Sequence, residues 1–91
     1  MRVNELLPMD EIYAQGAEEA AELAQAFLKL RRALTGLNPT PVTVDDAWQD
    51  LMEEIADVMV CINQINGVNW AYISEIMTRK LGRWEGRLEA R

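Results

Sequence analysis

Thr43-Val44-Asp45-Asp46-Ala47-Trp48-Gln49-Asp50-Leu51-Met52-Glu53-Glu54-Ile55-Ala56-Asp57-Val58-Met59-Val60-Cys61-Ile62-Asn63-Gln64-Ile65 is the stretch whose reading decides the fold. Trp48, Leu51, Met52, Ile55, Val58, Met59, Ile62 and Ile65 recur at spacings of three and four, the rhythm of one face of an α-helix. Thr43 with Asp46 three residues on reads as a capping box in which Asp stands for the usual Glu. Asn66-Gly67 closes the segment with turn residues. A helix over 43–65 is therefore expected.

Upstream, Leu37-Asn38-Pro39-Thr40-Pro41-Val42 is a rigid connector. Its prolines lack a backbone donor and push their predecessors out of helical conformation. Before it, Ala20, Leu23, Phe27, Leu30 and Leu34 form one apolar stripe, so a helix is expected over 10–34. Asp10 after Pro8 is its expected N-cap, and Gly36 its stop. Residues 1–9 form a lead segment, either loose or one extra turn, and residues 10–91 a single domain. Downstream, Asn69 is an N-cap for a third helix over 69–88, with Ile73, Ile76, Met77, Leu81, Trp84 and Leu88 on its apolar face. Gly82 and Gly86 weaken that helix by about 1 kcal/mol each relative to Ala.

No segment alternates with period two, so the expected fold class is an all-α helical bundle. A chain of 91 residues buries only about 60–65% of its unfolded surface, yet 49% of its residues are hydrophobic. A second copy completing the bundle resolves that mismatch, and dimerisation is expected.

The composition excludes several chemistries. There is no histidine, which removes Ser-His-Asp and Cys-His nucleophiles, and one cysteine cannot build the usual zinc ligand set. Cys61 lies in an apolar run and reads as a buried thiol in a reducing compartment. No signal sequence is evident and no apolar run approaches the roughly 20 residues of a membrane helix, so a cytoplasmic protein without a membrane partner is expected. The net charge of −6 argues against a nucleic-acid surface. Residues 1–78 carry 13 acids and 4 bases, whereas residues 79–91 carry 5 bases and 2 acids. An acidic body and a basic end can hold a metal and a phosphate respectively, although bases at a helix C-terminus also complement its dipole.

The acids cluster. Glu18-Glu19-Ala20-Ala21-Glu22 and Glu53-Glu54-Ile55-Ala56-Asp57 each contain a pair at i, i+3, Glu19 with Glu22 and Glu54 with Asp57. Such neighbours repel on a helix face, and Mg²⁺, a hard cation preferring oxygen ligands, would offset the repulsion. Small Ala20, Ala21 and Ala56 beside them would let two helices approach closely. Acid pairs are also common on solvated helix faces, so the spacing alone leaves both readings open.

Glu-Glu-x-x-Glu followed by Glu-Glu-x-x-Asp, set in Ala17-Glu18-Glu19-Ala20-Ala21-Glu22-Leu23 and Leu51-Met52-Glu53-Glu54-Ile55-Ala56-Asp57-Val58-Met59-Val60, resembles the signature of MazG-like proteins. These belong to the all-α nucleotide pyrophosphatases, with dimeric dUTPases and phosphoribosyl-ATP pyrophosphatases. Arg79-Lys80-Leu81-Gly82-Arg83 is similar to the family's terminal basic helix, and the likeness spans residues 10–88. The family often carries an asparagine or similar polar residue near the terminal lysine, and here Thr78 precedes Arg79-Lys80.

The resemblance implies a hydrolase acting on phosphoric anhydrides. It would cleave a nucleoside triphosphate between the α and β phosphates with Mg²⁺ (Mn²⁺ able to substitute), as a homodimer or dimer of dimers. Glu19, Glu22, Glu54 and Asp57 would be the metal ligands. Glu18 or Glu53 would orient the attacking water as the catalytic carboxylate, and Lys80, Arg79 and Arg83 would contact substrate phosphate. Trp48, Trp70, Trp84 and Tyr13 are expected in core or interface rather than stacked on a base. A phosphoribosyl-ATP hydrolase and a non-catalytic helical interaction module are the alternatives.

Overall fold

The computed structural model describes residues 3–39 and 41–91, and among them every regular element is helical. Four helices follow in order: α1 (Val3–Leu6), α2 (Met9–Thr35), α3 (Val44–Asn63) and α4 (Trp70–Ala90). The all-α expectation is met. Thr40, within the proline connector, and Met1 and Arg2 of the lead segment lie outside the described residues.

Local chemistry explains most boundaries. Thr43 is extended and its hydroxyl accepts the Asp46 amide at 3.0 Å, which starts α3. The Asn69 side chain accepts the Tyr72 amide at 3.0 Å and starts α4. Gly36 adopts φ 66°, and its N–H donates to the Arg32 carbonyl at 2.9 Å, ending α2 in the left-handed conformation that glycine adopts without a Cβ penalty.

The Asp10 cap is a correction. Pro8 occupies the N-cap position with extended geometry, and its carbonyl accepts the amides of Glu11 and Ile12. Asp10 falls in the first turn of α2, where its charge complements the helix dipole without capping it. The lead segment forms the short turn α1. The third expected helix runs through Gly82 and Gly86 to Ala90.

α2 and α3 pack as an antiparallel hairpin. Lys29 meets Asp50, while Glu22, seven residues earlier in α2, meets Glu54, four residues later in α3. The buried residues are Ile12 and Ala26 of α2 and Ala47 and Leu51 of α3. Two of the four are alanines, whose small side chains bring the helices together. This corrects the expectation for Ala20, Ala21 and Ala56, which are exposed because they lie off the line of contact.

α2 with α3 is the one extensively packed helix pair among the described residues. α4 stands away from the hairpin, and the radius of gyration is 16.8 Å where a compact chain of this length has about 12 Å. Its apolar face is correspondingly open: Met77, Leu81, Trp84 and Leu88 are exposed. Trp48, Phe27 and Leu34 are exposed as well. No helix among the described residues is long and apolar enough to cross a membrane.

Candidate metal centre

Three of the carboxylates singled out by spacing come together. Glu19 and Glu22, one turn apart on α2, and Glu54 on α3 each offer an oxygen, and these oxygens lie within 4.8 Å of one another. The antiparallel register produces this convergence, because the same face of α2 that carries Ala26 against α3 carries the two acids further back.

Gln15, one turn before Glu19, donates from Nε2 to Glu19 Oε1 at 2.9 Å. The other oxygen, Glu19 Oε2, is sequestered from solvent with no hydrogen-bond partner, and so is Glu54 Oε2. A sequestered, unpartnered carboxylate oxygen is costly unless something supplies positive charge. The Glu54 carboxyl is held above its ordinary pKa, first by burial and then by the charges of Glu22, Asp57 and Glu19. Cys61, expected to be buried, is half-buried, and its thiol is pushed up by burial and by the charges of Glu19 and Asp57.

The donor set is all oxygen, anionic and from two helices. It suits a hard divalent cation that retains several waters, such as Mg²⁺. The two orphaned oxygens are the observation that fits such an ion.

The remaining residues distribute as follows. Asp57 is exposed on the turn of α3 after Glu54, and its charge acts on Glu54, but it lies outside the converging three. Glu18 and Glu53 are exposed neighbours of the cluster on the chain and also lie outside it. Lys80 and Arg83 line a shallow hollow on α4 with Trp84 and Arg87, and Arg79 is exposed on the same helix. The structure does not bring these three bases to the acids within one chain.

No family model, curated protein or solved structure matches this chain. The residues and their arrangement therefore carry the functional reading.

Beside the acids lies a feature that sequence spacing did not bring out. Glu22 and Glu54 open onto a cleft of about 560 Å³ whose other polar walls are Gln25, Lys29, Arg32 and Asp50. Lys29 Nζ lies 3.8 Å from Asp50 Oδ2, and both side chains are partly exposed. In the sequence Lys29 and Arg32 belong, with Arg31, to a basic cluster near the end of the first helix. The usable signal was their spacing of seven and ten residues from Glu22, which keeps all three on one side of the helix.

Proposed function

We propose that this chain is a Mg²⁺-dependent nucleoside triphosphate pyrophosphohydrolase of the MazG-like kind, releasing a nucleoside monophosphate and pyrophosphate. The observation that carries the reading is the convergence of Glu19, Glu22 and Glu54 with two carboxylate oxygens sequestered and unpartnered. These acids come from the two motifs that carry the family resemblance, which supports a shared purpose over chance solvation.

Divalent metal at such a centre supplies charge neutralisation for a polyphosphate. The protein's own part is positional. Gln15 holds Glu19 in its orientation, and the α2–α3 contact at Ala26 and Ala47 keeps Glu54 against Glu19 and Glu22. Asp57 adds negative charge one turn away and is the proposed fourth ligand. Glu18 and Glu53, exposed beside the cluster, are the candidates to orient the attacking water.

The proposed assembly is a homodimer or dimer of dimers, acting in the cytoplasm. The exposed face of α4 and the extended shape support it, since an isolated chain leaves Met77, Leu81, Trp84 and Leu88 in water. In such an assembly Lys80, Arg79 and Arg83 could approach a neighbouring chain's acids.

The test is incubation with Mg²⁺ and a panel of standard and modified nucleoside triphosphates, with pyrophosphate assayed separately from orthophosphate. Pyrophosphate release that is abolished by EDTA and by Glu54→Gln is expected. Orthophosphate alone would identify a different scissile bond and overturn the mechanism. Absence of any product would favour the interaction-module alternative.

A further inference from the structure

We propose that Lys29 and Arg32 of α2 receive the phosphate chain of the substrate, and that Asp50 holds Lys29 ready in the cleft until the phosphate displaces it. The proposal rests on the metal-assisted phosphoanhydride reading above and assigns the second half of that site.

The cleft is charged asymmetrically. At one end stand Glu22 and Glu54, and at the other Lys29 and Arg32, with Asp50 opposite Lys29. With a rise of 1.5 Å per residue, the α-carbon of Lys29 lies about 10 Å along α2 from Glu22, and that of Arg32 about 15 Å. Both side chains are half-buried, long and directed into the same space. A polyanion entering beside three carboxylates is repelled unless cations other than the metal meet it. Within one chain the bases of α4 do not line this cleft, whereas Lys29 and Arg32 do.

The two bases differ in state. Lys29 is paired, but at 3.8 Å and with both partners partly exposed the pair is weak. Exchange of the Asp50 carboxylate for a phosphate oxygen is therefore easy. Arg32 has no ion-pair partner among the described residues, and its planar guanidinium matches two phosphate oxygens at once. No aromatic side chain lines the cleft, so it is built to grip phosphates rather than a base.

The test uses inorganic tripolyphosphate as the probe, titrated calorimetrically into the full chain in the presence of Mg²⁺. Mn²⁺ binding to the same proteins is followed separately by electron paramagnetic resonance. Lys29→Gln and Arg32→Gln are each expected to weaken tripolyphosphate binding on the order of tenfold or more while Mn²⁺ affinity is unchanged. Lys29→Arg and Arg32→Lys, which keep charge and helix propensity, are expected to retain most of the binding. Asp50→Asn is expected to tighten binding about threefold, and to have no such effect in a Lys29→Gln background.

Wild-type tripolyphosphate affinity in both Gln variants, with Mn²⁺ still bound, would overturn this assignment and leave the metal centre standing. Equal losses in the charge-keeping and Gln variants would also overturn it. Failure of the wild-type protein to bind Mn²⁺ would instead overturn the metal reading.

Discussion

Replacing Glu54 by Gln should change stability in opposite directions depending on whether Mg²⁺ is present. Glu54 faces Glu19 and Glu22, and its carboxyl is raised above the ordinary 4.5 by burial and by the charges of Glu22, Asp57 and Glu19. Between 4.5 and that raised value the native state binds more protons than the unfolded chain. The stability associated with protonated Glu54 is thus fully present below this window and is lost as pH rises through it. Above the window that stability is gone, and Glu54→Gln removes its source while preserving side-chain shape. Above the window the metal-free variant is therefore expected to melt higher than the wild type, with the two converging below it. Mg²⁺ reverses the order. A ligand confined to the native state at ten times its Kd contributes about 1.4 kcal/mol, or about 6–11 °C for a domain of this size. The wild type should show that rise, and Glu54→Gln, lacking one of three converging anionic oxygens, should show little of it. Thermal melts by circular dichroism, with and without Mg²⁺ at matched ionic strength, check both halves. Equal Mg²⁺ shifts in the two proteins would refute the metal assignment. A metal-free variant whose melting temperature does not rise relative to wild type as pH climbs from 4.5 through the window would refute the electrostatic reasoning.

Other parts of the molecule make separate predictions. Leu51→Ala empties a buried position at the α2–α3 contact, where Leu51 is 4% exposed, and is expected to cost about 2–5 kcal/mol in denaturant unfolding. Ala47→Leu, at a position with no exposed surface, should overpack the hairpin by about 1–3 kcal/mol and also lower Mn²⁺ affinity, because it pushes Glu54 away from Glu19 and Glu22. Thr43→Ala deletes the hydroxyl that accepts the Asp46 amide and should cost about 1 kcal/mol in the same unfolding assay. Leu81→Glu on the exposed face of α4 should lower the assembly state seen by light scattering, whereas Arg91→Glu at the end of the chain should not.

Helix ends were legible where a side chain next to the break does the work. Thr43, Asn69 and Gly36 act through bonds spanning three or four residues, so their roles can be read without the rest of the fold. Asp10 misled because Pro8, two residues earlier, takes the cap through its backbone geometry, and a capping side chain next to it is redundant. The acid pairs were legible for a similar reason: i, i+3 spacing alone puts Glu19 with Glu22 on one face. Which alanines close the hairpin was not legible. The stripe expected on the first helix leaves Ala20, Phe27 and Leu34 exposed, so pattern did not set the rotation of each helix about its axis. That rotation places Ala26 and Ala47 inside and leaves Ala20, Ala21 and Ala56 in solvent. The cleft bases were hidden by the same freedom, since Lys29 acquires its meaning only when Asp50 and Glu54 face it.

In the proposed assembly α4 would link association to the site, although it lines neither the acid cluster nor the cleft beside it. Glu19, Glu22 and Glu54 are held by the hairpin alone, and the hairpin's buried side chains are Ile12, Ala26, Ala47 and Leu51. So small a core gives little stability against the entropy of ordering two helices of 27 and 20 residues. In the proposed assembly, association through the exposed apolar faces would supply more and would make folding depend on protein concentration. The proposed metal binding and association would then both act on the same folded hairpin. In that arrangement the melting temperature rises with protein concentration in the absence of Mg²⁺, and Mn²⁺ binds more tightly as the chain concentration increases. Leu81→Glu should weaken both dependences although it lies on a helix that does not line the cleft. A melting temperature independent of concentration over two or more decades would separate the two, and would mean that the hairpin stands by itself.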